Sequence, residues 1–256
     1  MATSVPPLEN PSSLASPGLS QMERVVDTFI APSKTFEDIR RSAAWWMPFL
    51  ISLIISFAFS MTIEKKVGWH QVMENTIQNH PAQQEQLDKL TPEQRAQRES
   101  ISVVIYRVIA FGYPVFGLIV AAIVAGVLML TLNLGMGAQA KYWQYFATYI
   151  YGVWLPGAIK AILIVILVFA GGGGENFNLE NPIGTNLGFY VSNSSLPAAL
   201  RALLTDIDIF TIWSAVLLAL GLSIVCRVSR GKAYGVVFGW WAVIILFGVA
   251  RAAIFG

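Results

Sequence analysis

Lys160 has the clearest chemical potential in this chain, because it stands well inside a long apolar run. A charge in a membrane helix costs about 2.5–3.5 kcal/mol on insertion scales, so it needs a partner, water or a route to the interface. Asp208, at the start of a later apolar run, offers a carboxylate, with Asp206 beside it. Two readings follow. In one, Lys160 forms a structural pair with Asp208 or snorkels to the interface; in the other, the two are the polar centre of an ion or substrate pathway.

The remaining reactive side chains suggest no chemistry. Cys226 is the single cysteine, which excludes an intramolecular disulfide. Its apolar surroundings read as those of a small core residue. His70 and His80 lie in a polar loop without a cysteine or acidic partner at metal-ligand spacing. No nucleophile elbow, His-Glu-x-x-His or phosphate-binding loop occurs, and Gly171 to Gly174 lack the Lys-Ser/Thr of a P-loop. The expectation is a non-enzyme without cofactor or metal. A net charge of +2 gives no basic stripe, so nucleic acid is not an expected partner.

The positions of these residues depend on what surrounds them. Of 256 residues, 55% are hydrophobic and 12% charged, against about 25% charged in soluble domains. Too few charges remain to wet a soluble surface, so the bilayer becomes the expected partner. Five uncharged or nearly uncharged runs are long enough for helices that cross about 30 Å of hydrocarbon. They cover Trp45 to Ile63, about Val108 to Leu134, Trp143 to Ala170, Ile207 to Cys226 and Ala233 to Phe255. Such runs must satisfy their own amides, which helices do, and their continuity excludes the alternation of a barrel. The expected fold is all-α: a polytopic membrane protein built as a bundle of five transmembrane helices.

Lysine and arginine in the flanks orient it. Arg24, Lys34, Arg40 and Arg41 precede the first run, Lys141 joins the second to the third, and Arg227, Arg230 and Lys232 join the fourth to the fifth. All fall on one side, which puts the N-terminus inside and the C-terminus outside. Glu175, Glu180, Asp206 and Asp208 mark the other side, with a single Arg201. The loop at 64–100 dissents, carrying Lys65, Lys66, Lys89, Arg95 and Arg98 on the outer side.

Outside the spans, residues 1–20 read as a disordered tail and not as a secretory signal. Residues 21–44 form an amphipathic cytoplasmic segment, with Met22, Val25, Val26, Phe29 and Ile30 at helical spacing and Phe36 and Ile39 beyond Pro32. It lies on the inner leaflet or packs over the inner end of the bundle. In the outer loop, Thr91-Pro92-Glu93-Gln94 spells a capping box, and Trp69, Met73 and Ile77 mark a short amphipathic helix. Pro114 and Pro156 are expected to kink their spans. Arg107 and Arg251 read as snorkelling anchors, Asn133 as a helix-to-helix bond, and Asn193-Ser194-Ser195 as a glycosylation sequon.

Several stretches together resemble a known family. Phe29-Ile30-Ala31-Pro32-Ser33-Lys34-Thr35-Phe36, then Trp46-Met47-Pro48, is similar to the opening of the Yip domain (Ypt/Rab-interacting protein) family, in its bacterial branch. Tyr151-Gly152-Val153-Trp154-Leu155-Pro156 resembles its aromatic-x-Leu-Pro element. Asp208-Ile209-Phe210-Thr211-Ile212-Trp213, running on to Gly221-Leu222, resembles its Asp-x-Phe-x-x-Trp stretch. The family-motif positions are thus Pro32, Phe36, Pro156, Asp208, Phe210, Trp213 and Gly221. The resemblance implies a five-helix bundle over residues 45–256 in the bacterial cytoplasmic membrane. The leading expectation is a non-enzymatic protein that scaffolds or organises membrane components through helix packing and its inner amphipathic segment, with membrane-protein partners or self-association. The alternative is a small-solute or ion transporter or channel centred on Lys160. Asp208 reads physically as a helix cap, and Phe210 and Trp213 as interfacial anchors.

Overall fold

A computed structural model of the chain describes residues 18–78, 81–172, 177–191 and 196–255. Residues 1–17 of the expected tail, His80, Glu175 and the sequon at 193–195 lie outside the described residues. The regular structure described is helical, with one isolated antiparallel bridge between Asn186 and Asp208.

Two short helices come first, α1 (Gln21–Ile30) and α2 (Pro32–Arg41). Ser20 caps α1 through a reciprocal box with Glu23, and Pro32 opens α2 where its missing N–H costs nothing. The two fold back on each other around Arg24, which is 2% exposed. Its guanidinium donates to Asp38 at 2.5 Å and to the Ser42 carbonyl at 2.8 Å. The hydroxyls of Thr28 and Thr35 donate to its backbone carbonyl. Arg24 therefore clamps the hairpin to the start of the next helix, a role its reading as a flanking charge missed.

Four helices are long and apolar enough to cross a membrane: Trp46–Lys66 (α3), Pro92–Leu134, Tyr142–Gly171 and Arg230–Ile254. A fifth apolar helix, Ile209–Val225, has 17 residues, about 25 Å at 1.5 Å per residue. Large apolar side chains such as Ile54, Phe57, Phe116, Ile123, Ile166 and Phe247 stand exposed along these helices. A monomer in water rarely shows so continuous an apolar surface. The five-helix membrane bundle expected from composition is the observed fold.

Between α3 and the second long helix, α4 (Trp69–Gln78) and α5 (Pro81–Asp88) fill the connecting loop. Trp69, Val72 and Met73 are buried, and Asn75 donates to the Phe177 carbonyl at 2.7 Å. Trp69 and Val72 form a second small core with Ile63, Ile164, Val168 and Phe177. The Thr91–Gln94 capping box opens α6 (Pro92–Met129), which runs unbroken from the connecting loop into its span.

The two prolines sit in different settings. α6 stays helical through Pro114, and the Ala110 carbonyl that Pro114 cannot serve accepts the Ser60 hydroxyl of α3 at 3.1 Å. The third long helix instead changes form. α7 (Tyr142–Tyr149) passes into a π turn at Ile150–Trp154, and α8 (Leu155–Leu167) starts with Pro156 in its first turn. A further π turn closes the second long helix at Leu130–Leu134. α9 (Ala198–Asp206) leads into α10 (Ile209–Val225), and α11 (Arg230–Phe255) ends the chain.

α10 occupies the centre of the bundle. Gly152 in the π turn lets it approach: a Cβ there would sit 3.1 Å from the Leu218 backbone nitrogen. At Gly221, a Cβ would meet the Phe36 ring at 2.7 Å and the Thr148 methyl at 2.6 Å. The α1–α2 hairpin is thus packed against α10 with Phe36 and Ile39 fully buried.

Candidate site at the Lys160–Asp208 pair

The site begins with the cap of α10. Asp208 stands in the N-cap position with extended backbone, and its Oδ1 accepts from the Phe210 amide at 2.8 Å and the Thr211 amide at 3.4 Å. This is the role of a carboxylate at a helix start, where free amides and the macrodipole both favour negative charge. The other oxygen, Oδ2, accepts from Lys160 Nζ at 3.0 Å and from the Thr185 hydroxyl. A carboxylate offers about four acceptor sites, and all are engaged. The Asp208 side chain is 4% exposed, that of Lys160 28%.

The chain segment before α9 locks this cap from outside. The Ile209 amide donates to the Thr185 carbonyl at 2.9 Å, and Asn186 bridges to Asp208. Asn186 also accepts from the Phe189 amide and donates to Asn181 at 2.6 Å. Thr185 and Asn186 carry no signal in the sequence beyond a polar loop, so their part in the site was not foreseen. Asp206, the other carboxylate considered for Lys160, turns instead to Gly248 and Arg251 of α11.

Beside the pair lies a cavity of about 640 Å³. α3, α6, α7, α8 and α10 wall it, mostly with apolar and aromatic side chains, and Lys160 reaches its surface. Phe210 lines it, and its ring lies 6.0 Å from that of Trp213. Trp213 in turn packs on Phe29 of α1 at 5.5 Å. Phe210 and Trp213 thus make ring contacts within the bundle beside the cavity.

The motif positions thus meet in three places. Lys160 joins Asp208; Phe36 covers Gly221; and Trp213 receives Phe29, just before Pro32. Pro156 opens α8, one turn before Lys160. Asn133 accepts from the Tyr145 hydroxyl of α7 at 2.7 Å and donates to the Ala140 carbonyl, a bond between helices. Arg107 does not stand alone as an anchor; it pairs with Glu64 of α3. The exposed His70 lies 3.5 Å from Glu74, one turn on, a neighbour not weighed in the sequence reading. Among the described residues no group of three or more His, Cys, Asp or Glu side chains is placed to hold a metal.

Compared with models of known families, residues 26–251 match the one described as the Yip1 domain. No curated protein and no solved structure matches the chain. The match takes in the α1–α2 hairpin from Val26 onward, all five apolar helices and both partners of the Lys160–Asp208 pair. This chain belongs to the Yip1 domain family.

Proposed function

We propose that this protein is a non-enzymatic integral membrane protein that organises or scaffolds other membrane components. Its partners are membrane proteins or further copies of itself, in a bacterial cytoplasmic membrane, with the N-terminus cytoplasmic and the C-terminus outside. One observation carries this reading: the charge pair between α8 and the start of α10 is engaged in holding the fold. Asp208 has no acceptor left for a substrate, and Lys160 is held to it at 3.0 Å. A transporter needs a polar group free to exchange partners along a wet path. A scaffold needs only a rigid body with surfaces to offer.

Further support comes from the helices outside the centre. The outer faces of α3, α6 and α11 keep large apolar side chains exposed, as lipid or partner helices require. Arg41 and Lys141 lie at one end of the bundle, where the Gln144 side chain donates to the Arg40 carbonyl at 3.0 Å, an end the positive-inside rule assigns to the cytoplasm.

Cross-linking in native membranes, followed by separation and mass analysis, tests the role. Discrete adducts of defined composition are expected. Recovery of monomer alone at every cross-linker dose would contradict the scaffolding reading.

A further inference from the structure

The cavity beside Lys160 lies among helices that cross the bilayer, so its contents are drawn from the membrane. Its walls include Ile55, Phe59, Ile109, Val153, Ala161 and Ile164. Water held there would find few partners, and a vacant space would forfeit the dispersion energy of its lining. The cavity opens sideways at α6, where Ile109 and Tyr113 line it while being 53% and 60% exposed. An apolar chain from the surrounding lipid has both the chemistry and the access to enter.

One polar group on the wall narrows the choice of occupant. An ammonium has three donors, and among the described residues the hydrogen bond of Lys160 goes to Asp208, while Lys160 also lines the cavity. Unmet donors in hydrocarbon are costly. A plain alkyl chain offers the remaining donors nothing, whereas an ester-linked lipid brings oxygen atoms with its chain.

We propose that this cavity is a binding site for one acyl chain of a membrane phospholipid, with Lys160 donating to an ester oxygen. The site rests on the bundle lying in a bilayer and not on the scaffolding role. Asp208 then acts as a positioning residue, holding the Lys160 ammonium at the cavity wall. The apolar lining gives the chain its place, and the ammonium discriminates ester-linked lipids from hydrocarbon.

Gly157 supplies the test, because it lines the cavity and a Cβ added there meets no atom within 4 Å. The full chain is reconstituted in vesicles of phosphatidylethanolamine and phosphatidylglycerol, with a tracer phosphatidylethanolamine carrying a diazirine on its acyl chain. After irradiation, labelled peptides are mapped. Labelling is expected to concentrate on Tyr106, Tyr113 and Tyr149 relative to the lipid-facing Ile119 and Ile123. Gly157→Phe should lower cavity labelling about tenfold and leave Ile119 and Ile123 unchanged. Ala161→Leu serves as a second filling variant should Gly157→Phe fail to fold. Lys160→Arg should retain the labelling and Lys160→Met reduce it. Equal labelling of cavity and outer faces, or no response to either filling variant, would overturn the site. Equal labelling of Lys160→Arg and Lys160→Met would overturn the ester contact.

Discussion

Removing the ammonium from Lys160 strands a carboxylate that is 4% exposed. Breaking a buried pair from one side costs about 3–5 kcal/mol, because an uncompensated charge stays behind. Lys160→Met is therefore expected to lower stability by that order in a denaturant titration of the detergent-solubilised protein. Lys160→Met with Asp208→Asn should recover most of the loss, since asparagine still caps a helix and no charge remains. A double variant as unstable as the single one would show that the pair does more than neutralise charge. Asp208 was legible from sequence because its role is local: a carboxylate just before an apolar run is a cap wherever it occurs. Arg24 was not, because its burial depends on Asp38 and on the Ser42 carbonyl, brought in by a helical hairpin that no local pattern encodes.

At the scale of elements, helix lengths and apolar runs could be read directly, and the observed spans follow them closely. The details that differ come from contacts distant in sequence. Pro114 leaves a carbonyl free within its helix, and Ser60, on another helix, bonds it. Ser60→Ala should cost about 1–3 kcal/mol by leaving that carbonyl unmet. Replacing Pro114 with alanine as well restores the backbone donor, so the double variant should regain stability, read in the same titration. If Ser60→Ala is neutral, the hydroxyl does not support the helix at Pro114. The type of Phe210 and Trp213 suggests an interfacial place, and their neighbours within the bundle, the cavity and Phe29, are set by how α1 and α10 pack.

For the whole molecule, the family match, the five apolar helices and the flanking charges describe one bundle whose centre is engaged in its own architecture. Orientation can be tested with single cysteines in a Cys226→Ala background, using a maleimide that cannot cross membranes. Gly231→Cys, in the first turn of α11, should react only from the cytoplasmic side, and Gln86→Cys, in α5, only from the opposite side. Labelling of both from the same side would remove the five-span topology. The most direct measurement of the central claim combines the charge pair with partner recovery. The Lys160→Met, Asp208→Asn double variant is cross-linked in native membranes beside the parent protein. If the pair is architectural and function resides on the outer surfaces, the same adducts should appear in the same yield. A folded double variant that loses those adducts would contradict the account.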